Sequence, residues 1–274
     1  MKIHLELELA IVAVVVLMGC GCEKSGGGGG GPSFNAFFSV SFDGHGDGTY
    51  TEGQLNGDWN GPPWNVGVRE GRVTIVGGNE AYSGKSMRVS YPNGRVGLGG
   101  GGASWPFRFG ARDDVYCSYR FLMRPGFDFV RGGKMPGLAG GAANDGGHRP
   151  NGRDGWSVRL MWRDNARMAA YVYHPDQPTQ YGEYFDWSSG VAAGRWQQVV
   201  IHVRMNTPGQ HDGIVQCWLN GSSVLNVDTL RFRDTSAFGI DQFFFSTFFG
   251  GGDSSWAPTR DEYITFDDFQ VGTP

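Results

Sequence analysis

The sequence lacks helical periodicity beyond its first residues, and this absence already restricts the fold. Its 47 glycines among 274 residues favour turns and disfavour long helices. Aromatic residues form 14% of the chain, with 19 Phe and 9 Trp, and aromatic side chains are enriched in β-strands. The composition therefore predicts an all-β protein with enough apolar side chains for a core.

Long apolar runs are equally scarce. The run at residues 9–18 follows Lys2 and is too short to cross a bilayer as a permanent helix. It closes with Gly19 and Cys20, and a small residue before a cysteine at this point is similar to a bacterial lipobox. We therefore expect residues 1–19 to be a lipoprotein signal peptide, with lipid on Cys20 anchoring an exported protein at the outer membrane or cell surface. An ordinary secretory signal is the alternative.

A glycine tract separates this segment from the rest of the chain. Residues 26–31 are all glycine, and such a tract behaves as a flexible coil. We expect residues 20–33 to tether the anchor to one folded domain over residues 34–274, because no second break in composition follows.

Cysteine is rare, with 4 in the chain, and none has the spacing of a metal site. Two of them, Cys117 and Cys217, lie in strand-like runs of the predicted domain. An oxidising compartment would permit a disulfide between them, and two buried free thiols would explain them equally well. Both alternatives stay open.

From residue 34 onward, short β-type runs alternate with Gly, Asn, Asp and Pro breaks. Between two of the runs, Asn220 and Gly221 form a strong hairpin-turn signal. The pattern predicts an antiparallel β-sandwich of jelly-roll type. The clearest runs are residues 37–42, 72–76, 86–91, 115–123, 156–162, 168–173, 197–205, 214–219, 224–227, 242–249 and 263–271.

Charge is unevenly distributed along the chain, whose formal net charge is −4. Residues 108–167 carry eleven basic and six acidic side chains, against an acidic balance elsewhere. A basic band in an acidic protein indicates a locally anionic partner, although arginines on solvated strand edges would give the same pattern.

Two neighbouring runs carry polar side chains on one face. Strand alternation places Ser157 and Arg159 opposite the apolar face of residues 156–162, and Tyr171 and Tyr173 share a face of the next run. The short turn between the runs predicts a hairpin, so the two polar faces form one surface. A guanidinium beside a hydroxyl on such a surface suits carboxylate binding.

Residues 131–141 are glycine-rich around a single lysine, Lys134. No Ser or Thr follows the Gly-Lys pair, which excludes a phosphate-binding loop. We expect a loop whose glycines let the backbone run close to a ligand while Lys134 projects into it. Residues 43–47 have too few ligands for calcium, so we expect a turn there and no metal site.

Several motifs resemble those of polysaccharide lyase family 14. They are GKMPGL at residues 133–138, GWSVR at 155–159, YVYH at 171–174, RMNTPG at 204–209, FSTFFGG at 245–251 and FDDF at 266–269. The resemblance implies a β-jelly-roll enzyme that cleaves alginate or glucuronan by β-elimination without a cofactor. The functional residues that it implies are Lys134, Ser157, Arg159, Tyr171 and Tyr173.

These residue types suit the reaction. Removing the C5 proton of a 4-linked uronate requires neutralisation of the adjacent carboxylate, a task for Arg159 helped by Ser157. Tyrosine can act as base or acid, and a nearby cation would lower its pKa from about 10. Tyr171, Tyr173 and Lys134 share the base and acid roles, and the sequence leaves their assignment open.

We expect an acidic polysaccharide as partner, besides the membrane, and a monomer that binds no nucleic acid. A non-catalytic carbohydrate-binding module is the main alternative, since it would use the same aromatic and basic surface. A hydrolase needs two suitably placed carboxylates, and Glu183 and Asp186 fall on opposite faces of a strand. The further substrate contacts that we predict are His148, Gln177, Thr247, Phe249 and Trp256.

Overall fold

The computed structural model describes residues 31–274, so the predicted signal peptide, Cys20 and most of the predicted linker lie outside the described residues. The described chain is built from fifteen strands in two antiparallel sheets. In chain order they are β1 (Asn35–Val40), β2 (Gly48–Thr49), β3 (Val73–Gly77), β4 (Lys85–Tyr91), β5 (Ala103–Arg112), β6 (Asp114–Met123), β7 (Gly132–Gly141), β8 (Gly155–Arg163), β9 (Met168–Tyr173), β10 (Glu183–Asp186), β11 (Gln197–Arg204), β12 (Gly213–Leu219), β13 (Ser222–Leu230), β14 (Ile240–Phe249) and β15 (Glu262–Thr273).

The two sheets pack face to face around one core, which confirms the predicted antiparallel β-sandwich. The nine-stranded sheet has the order β13-β12-β11-β6-β15-β4-β3-β2, with β1 paired to β15. The six-stranded sheet has the order β10-β9-β8-β7-β14-β5. Apolar side chains from both sheets form a single buried cluster that extends from Val40 to Val271.

All eleven runs predicted as strands are strands in the structure. The predicted hairpin is β8–β9, in which Ser157 pairs with Tyr173 and Arg159 with Tyr171. Period-two alternation was a reliable guide here because polar and apolar residues occupy opposite faces.

The helical elements are short. The sequence predicted no helix in the folded domain, and this prediction was wrong at α1 (Glu52–Asp58). Its N-terminus is a capping box, in which the Thr51 hydroxyl accepts from Gln54 N–H and the Gln54 side chain bonds the Thr51 backbone. A helix of 7 residues is too short to show a periodic pattern. A four-residue turn, α2 (Gly97–Gly100), is the other α-element, and no helix in residues 31–274 is long and apolar enough to span a membrane.

The glycine-rich segment around Lys134 is β7, a central strand of the six-stranded sheet, so the prediction of a loop was wrong. Its glycines are required by packing. A Cβ on Gly133 would overlap the Trp162 ring, and one on Gly137 would overlap the carbonyl of Val158 in the adjacent strand. Glycine here permits close approach of neighbouring chain inside the sheet.

Cys117 and Cys217 are buried free thiols. Both face Ile201 of β11, which runs between their strands. Two strand spacings separate their backbones by roughly 9.5 Å, beyond the reach of a disulfide. The second of the two alternatives therefore holds.

Candidate active site

A cavity of about 780 Å³ lies on the outer face of the six-stranded sheet, opposite the core. Strands β7, β8, β9, β10 and β14 contribute side chains to it, as do the connections β7–β8, β9–β10 and β14–β15. It is lined by Lys134, Asp145, Gly146, Arg159, Tyr171, Tyr173, Pro178, Thr179, Tyr181, Gly182, Glu183, Tyr184, Phe248, Gly250, Gly251, Gly252 and Trp256.

Strand alternation explains which strand residues face the cavity. Val158 and Leu160 of β8 point into the core, whereas Arg159 and Met161 point to the other face. The register of β7 places Lys134 beside Met161, and that of β9 places Tyr171 beside Arg159. The structure therefore brings four of the five predicted catalytic residues to one cavity.

Lys134 is buried, with 7% of its surface exposed. Its Nζ lies 3.7 Å from the centre of the Tyr171 ring and 2.9 Å from the Met161 sulfur. A thioether is a weak acceptor, so it stabilises an ammonium little. Burial, reinforced by repulsion from Arg159 and Arg163, holds the pKa of Lys134 well below its ordinary value. This environment favours a neutral amine.

Arg159 is even more buried, at 2% exposed, and sits against the Phe244 ring. Its Nη1 lies 3.2 Å from Asp145 Oδ2 and 3.4 Å from Ser246 Oγ. Its Nε is buried without a hydrogen-bond partner. The guanidinium is therefore fixed in place but incompletely bonded.

The two tyrosines stand edge to face, with ring centres 5.5 Å apart. Burial, followed by the hydrogen bond and charge of Tyr173, raises the pKa of Tyr171 above its ordinary value, and the opposing effect of Arg159 is smaller. Arg159 thus lowers the pKa of Tyr171 as expected, but burial and Tyr173 outweigh it, so the net shift of Tyr171 is upward. The Tyr173 hydroxyl accepts a hydrogen bond of 3.0 Å from Gly147 N–H.

Ser157 has the predicted orientation but not the predicted contact. Its side chain is fully buried, and its hydroxyl donates to the Asn144 carbonyl at 2.6 Å. The loop between β7 and β8 covers it, so it does not line the cavity. The prediction of direct carboxylate binding by Ser157 is corrected to support of that loop.

Two predicted substrate contacts on β14 fall on the wrong face. Phe249 packs in the core, and Thr247 is buried in a 2.6 Å hydrogen bond with Tyr91. Their neighbours Ser246 and Phe248 face the site instead, one at Arg159 and one in the cavity lining. Because both faces of β14 are rich in apolar residues, alternation gave no contrast from which to choose.

The other three predicted contacts have different positions. Trp256 lines the cavity and packs on the cluster formed by Met161 and the two tyrosines. Gln177 is fully buried and donates to the carbonyls of Thr179 and Gln180, so it shapes the wall without facing the cavity. His148 is exposed and lies outside the lining.

The sequence prediction missed Asp145, one of two acidic residues in the lining. The other, Glu183, has its carboxylate 2.8 Å from His174 Nε2. An isolated Asp in a polar loop carries no motif that would have singled it out. Within residues 31–274, no three His, Cys, Asp or Glu side chains come close enough together to hold a metal ion.

A basic groove continues from the cavity past Trp256 and Tyr184, which belong to both. The Arg131 guanidinium lies 4.8 Å from the Trp256 ring centre, and that of Arg163 lies 4.2 Å from the Tyr184 ring centre. Arg167 borders the same groove. The groove therefore extends positive charge along the sheet surface, as the basic band predicted.

A family model described as Polysaccharide lyase 14 matches residues 79–269, well over half of the chain. The chain belongs to polysaccharide lyase family 14, in agreement with the motifs.

Known proteins similar to this chain include two alginate lyases of solved structure. A variant of alginate lyase Aly36B in complex with alginate tetrasaccharide is 25% identical, with a TM-score of 0.76 over 88% of this chain and 98% of that chain. The alginate lyase from Aplysia kurodai is 25% identical, with a TM-score of 0.75 over 88% of this chain and 100% of that chain.

A curated relative is Exolysin of Paramecium bursaria Chlorella virus 1, which is 27% identical over 157 residues. The match takes in 48% of this chain and 22% of Exolysin, so the chain spans a small part of that relative.

Proposed function

We propose that this protein cleaves a 4-linked polyuronate, alginate or glucuronan, by β-elimination. The observation that carries the proposal is Lys134, a buried amine with a lowered pKa beside the guanidinium of Arg159. A base next to a carboxylate-binding cation is what proton removal alpha to a carboxylate requires. The alginate lyases of similar fold support alginate as a substrate.

In the proposed reaction, Arg159 binds the carboxylate of the reacting uronate and offsets the negative charge that develops when the C5 proton leaves. The guanidinium is already desolvated and held by Ser246 and Phe244, so little reorganisation is needed. Its planar donor fork matches a carboxylate.

Lys134, as a neutral amine, takes the C5 proton. The electron pair of the C5–H bond forms the C4–C5 double bond, and the C4–O4 bond breaks. A proton must then reach O4, and Tyr171, a protonated phenol in the cavity lining, can donate it. Tyr173, one position along the same face, completes the polar wall.

The experiment is an absorbance assay for unsaturated uronate ends on poly-mannuronate, poly-guluronate and glucuronan. A lyase produces this ultraviolet-absorbing product on at least one polymer. Binding of all three polymers without any absorbing product would contradict the proposal and favour the non-catalytic carbohydrate-binding module.

Export and lipid anchoring are part of the proposal on sequence grounds alone. They depend on the lipobox-like ending at Gly19 and Cys20. Recovery of the full-length protein in the membrane fraction of expressing bacteria, and of the Cys20→Ser variant in the soluble exported fraction, would support them.

A further inference from the structure

One carboxylate of the cavity lining contacts Arg159. Asp145 lies in the connection between β7 and β8, and its Oδ2 is 3.2 Å from Arg159 Nη1. The Asp145 side chain is 38% exposed, whereas that of Arg159 is 2% exposed. Asp145 is therefore the more accessible of the two charged groups, and both line the cavity.

The contact with Asp145 leaves Arg159 only partly satisfied. One carboxylate oxygen faces one guanidinium nitrogen, the bond to Ser246 is long at 3.4 Å, and Nε has no partner. A guanidinium can form two parallel hydrogen bonds with a carboxylate, and a buried donor left unbonded costs free energy. A ligand carboxylate that accepted two hydrogen bonds from the guanidinium would bind Arg159 more strongly than Asp145 does.

The Asp145 side chain can move away from Arg159 while the backbone of its loop stays in place. On one side, the Asn144 carbonyl accepts from Ser157 and its amide donates to Asp154. On the other side, Gly147 N–H is bonded to the Tyr173 hydroxyl. Both anchors hold backbone beside Asp145 and neither involves its carboxylate, so rotation of this one side chain uncovers Arg159.

Of the two acidic residues in the cavity lining, Asp145 is the one that forms an ion pair with Arg159. Lys134, Arg159 and Arg163 are positive or potentially positive, and Asp145 interacts electrostatically with Lys134 as well as with Arg159. Glu183, the other acidic lining residue, is bonded to His174.

We propose that Asp145 occupies the place of the substrate carboxylate in the free enzyme and is displaced by the uronate that is to be cleaved. This inference rests on the proposed lyase function and adds a specificity-determining residue to it. Asp145 keeps the buried charge of Arg159 compensated before substrate binds. A ligand without a carboxylate cannot replace it, because Arg159 would then be buried and unpaired.

The test is the variant Asp145→Asn, which keeps the size of the side chain and removes the competing charge. Because the competitor is weakened, KM for the cleaved polyuronate should fall by about tenfold. Binding of glucuronate, a single uronate that cannot be cleaved, should tighten by a similar factor, and binding of neutral glucose should not change.

The matched control is Asp186→Asn, which makes the same charge change on an exposed residue of β10 outside the cavity lining. It reports how much any lost negative charge helps a polyanion bind, and its effect on KM should be small. Asp145→Glu keeps the carboxylate and should keep a KM close to that of wild type.

An unchanged or higher KM in Asp145→Asn, or a large loss of kcat, would overturn the inference, since Asp145 would then orient Arg159 and remain in place. Failure of the lyase proposal looks different. In that case the wild-type protein itself forms no unsaturated product, while the glucuronate titrations still report whether Asp145 competes at Arg159.

Discussion

At the scale of single residues, the proposed mechanism depends on how weakly the neighbours of Lys134 stabilise its protonated amine. Its close neighbours are an aromatic face and a thioether, which attract an ammonium weakly compared with a carboxylate or water. Arg159 and Arg163 oppose protonation by charge repulsion. In the proposed mechanism, Lys134 can act as a base because its surroundings give the protonated amine little stabilisation.

A prediction for this base concerns the pH dependence of activity. The reaction needs the neutral amine, so kcat/KM should rise as pH rises through the lowered pKa of Lys134 and level off above it. Arg163→Gln removes one cause of the lowered pKa, so the rising limb should move to higher pH. The measurement is a kcat/KM–pH profile of the unsaturated-product assay.

The control for this experiment is Arg167→Gln, which removes a neighbouring exposed arginine that is not among the causes of the Lys134 shift. Its profile should keep the wild-type limb. Above the rising limb, where wild-type Lys134 is neutral, Lys134→Gln should lower kcat by about 10²–10⁴-fold, and the difference should shrink at lower pH. A rising limb that stays in place in Arg163→Gln would contradict the assignment of that limb to Lys134.

At the scale of elements, β7 shows how a glycine-rich sequence can form a central strand of a sheet. Glycine at 133 and 137 lets this strand lie against Trp162 and Val158 while Lys134 stands on the open face. The glycines therefore let β7 pack closely against its neighbours while Lys134 joins Arg159, Tyr171 and Tyr173 in the cavity lining.

Gly133→Ala tests this packing. The added Cβ would meet the Trp162 ring and the Phe248 carbonyl, so we predict a loss of about 1–3 kcal/mol in the free energy of unfolding. Gly110→Ala in β5 is the control in the same sheet, because nothing lies within 4 Å of its Cβ. Urea unfolding measures both variants, and equal stabilities would contradict the packing argument.

The strands around the cavity show which parts of the fold the sequence could predict and which it could not. The hairpin β8–β9 was predictable because its two faces differ in polarity, as Leu160 and Arg159 illustrate. Strand β7 was not predictable from the sequence, because its glycine content is typical of a loop. The sequence also could not predict which face of β14 lines the cavity, because Phe244 and Phe245 make its two faces similarly apolar. The pairing of Asp145 with Arg159 joins a loop to a strand and leaves no local pattern.

At the scale of the whole molecule, the sandwich buries an acidic side chain far from the cavity lining. Asp267 of β15 is 1% exposed and accepts from the Ser86 hydroxyl at 2.7 Å. Burial raises the pKa of Asp267 to about 6 from its ordinary value of 3.8. The folded state therefore binds a proton here at pH values where the unfolded chain does not.

This gives a prediction for stability against pH. Because the folded pKa of Asp267 is raised, its contribution to stability improves as pH falls from above 6 towards 4 and is lost as pH rises. Relative to Asp267→Asn, the wild-type protein should gain up to about 3 kcal/mol in unfolding free energy between pH 7 and pH 4. Asp228→Asn, on an exposed position of β13, should follow the wild-type curve in parallel.

Urea unfolding at several pH values measures this difference. If the curves of wild type and Asp267→Asn run parallel across the range, Asp267 does not bind the proton that its burial implies.

The position of β15 in the nine-stranded sheet governs how the molecule can form during synthesis. This strand, residues 262–273, pairs with β1, β4 and β6. Without it, β13-β12-β11-β6 and β4-β3-β2 are separate pieces and β1 has no neighbour. Local contacts such as those of β7–β8–β9 and β11–β12–β13 close quickly, whereas joining the two pieces of the nine-stranded sheet through β15 depends on distant contacts. The nine-stranded sheet is therefore continuous only once residues 262–273 have paired.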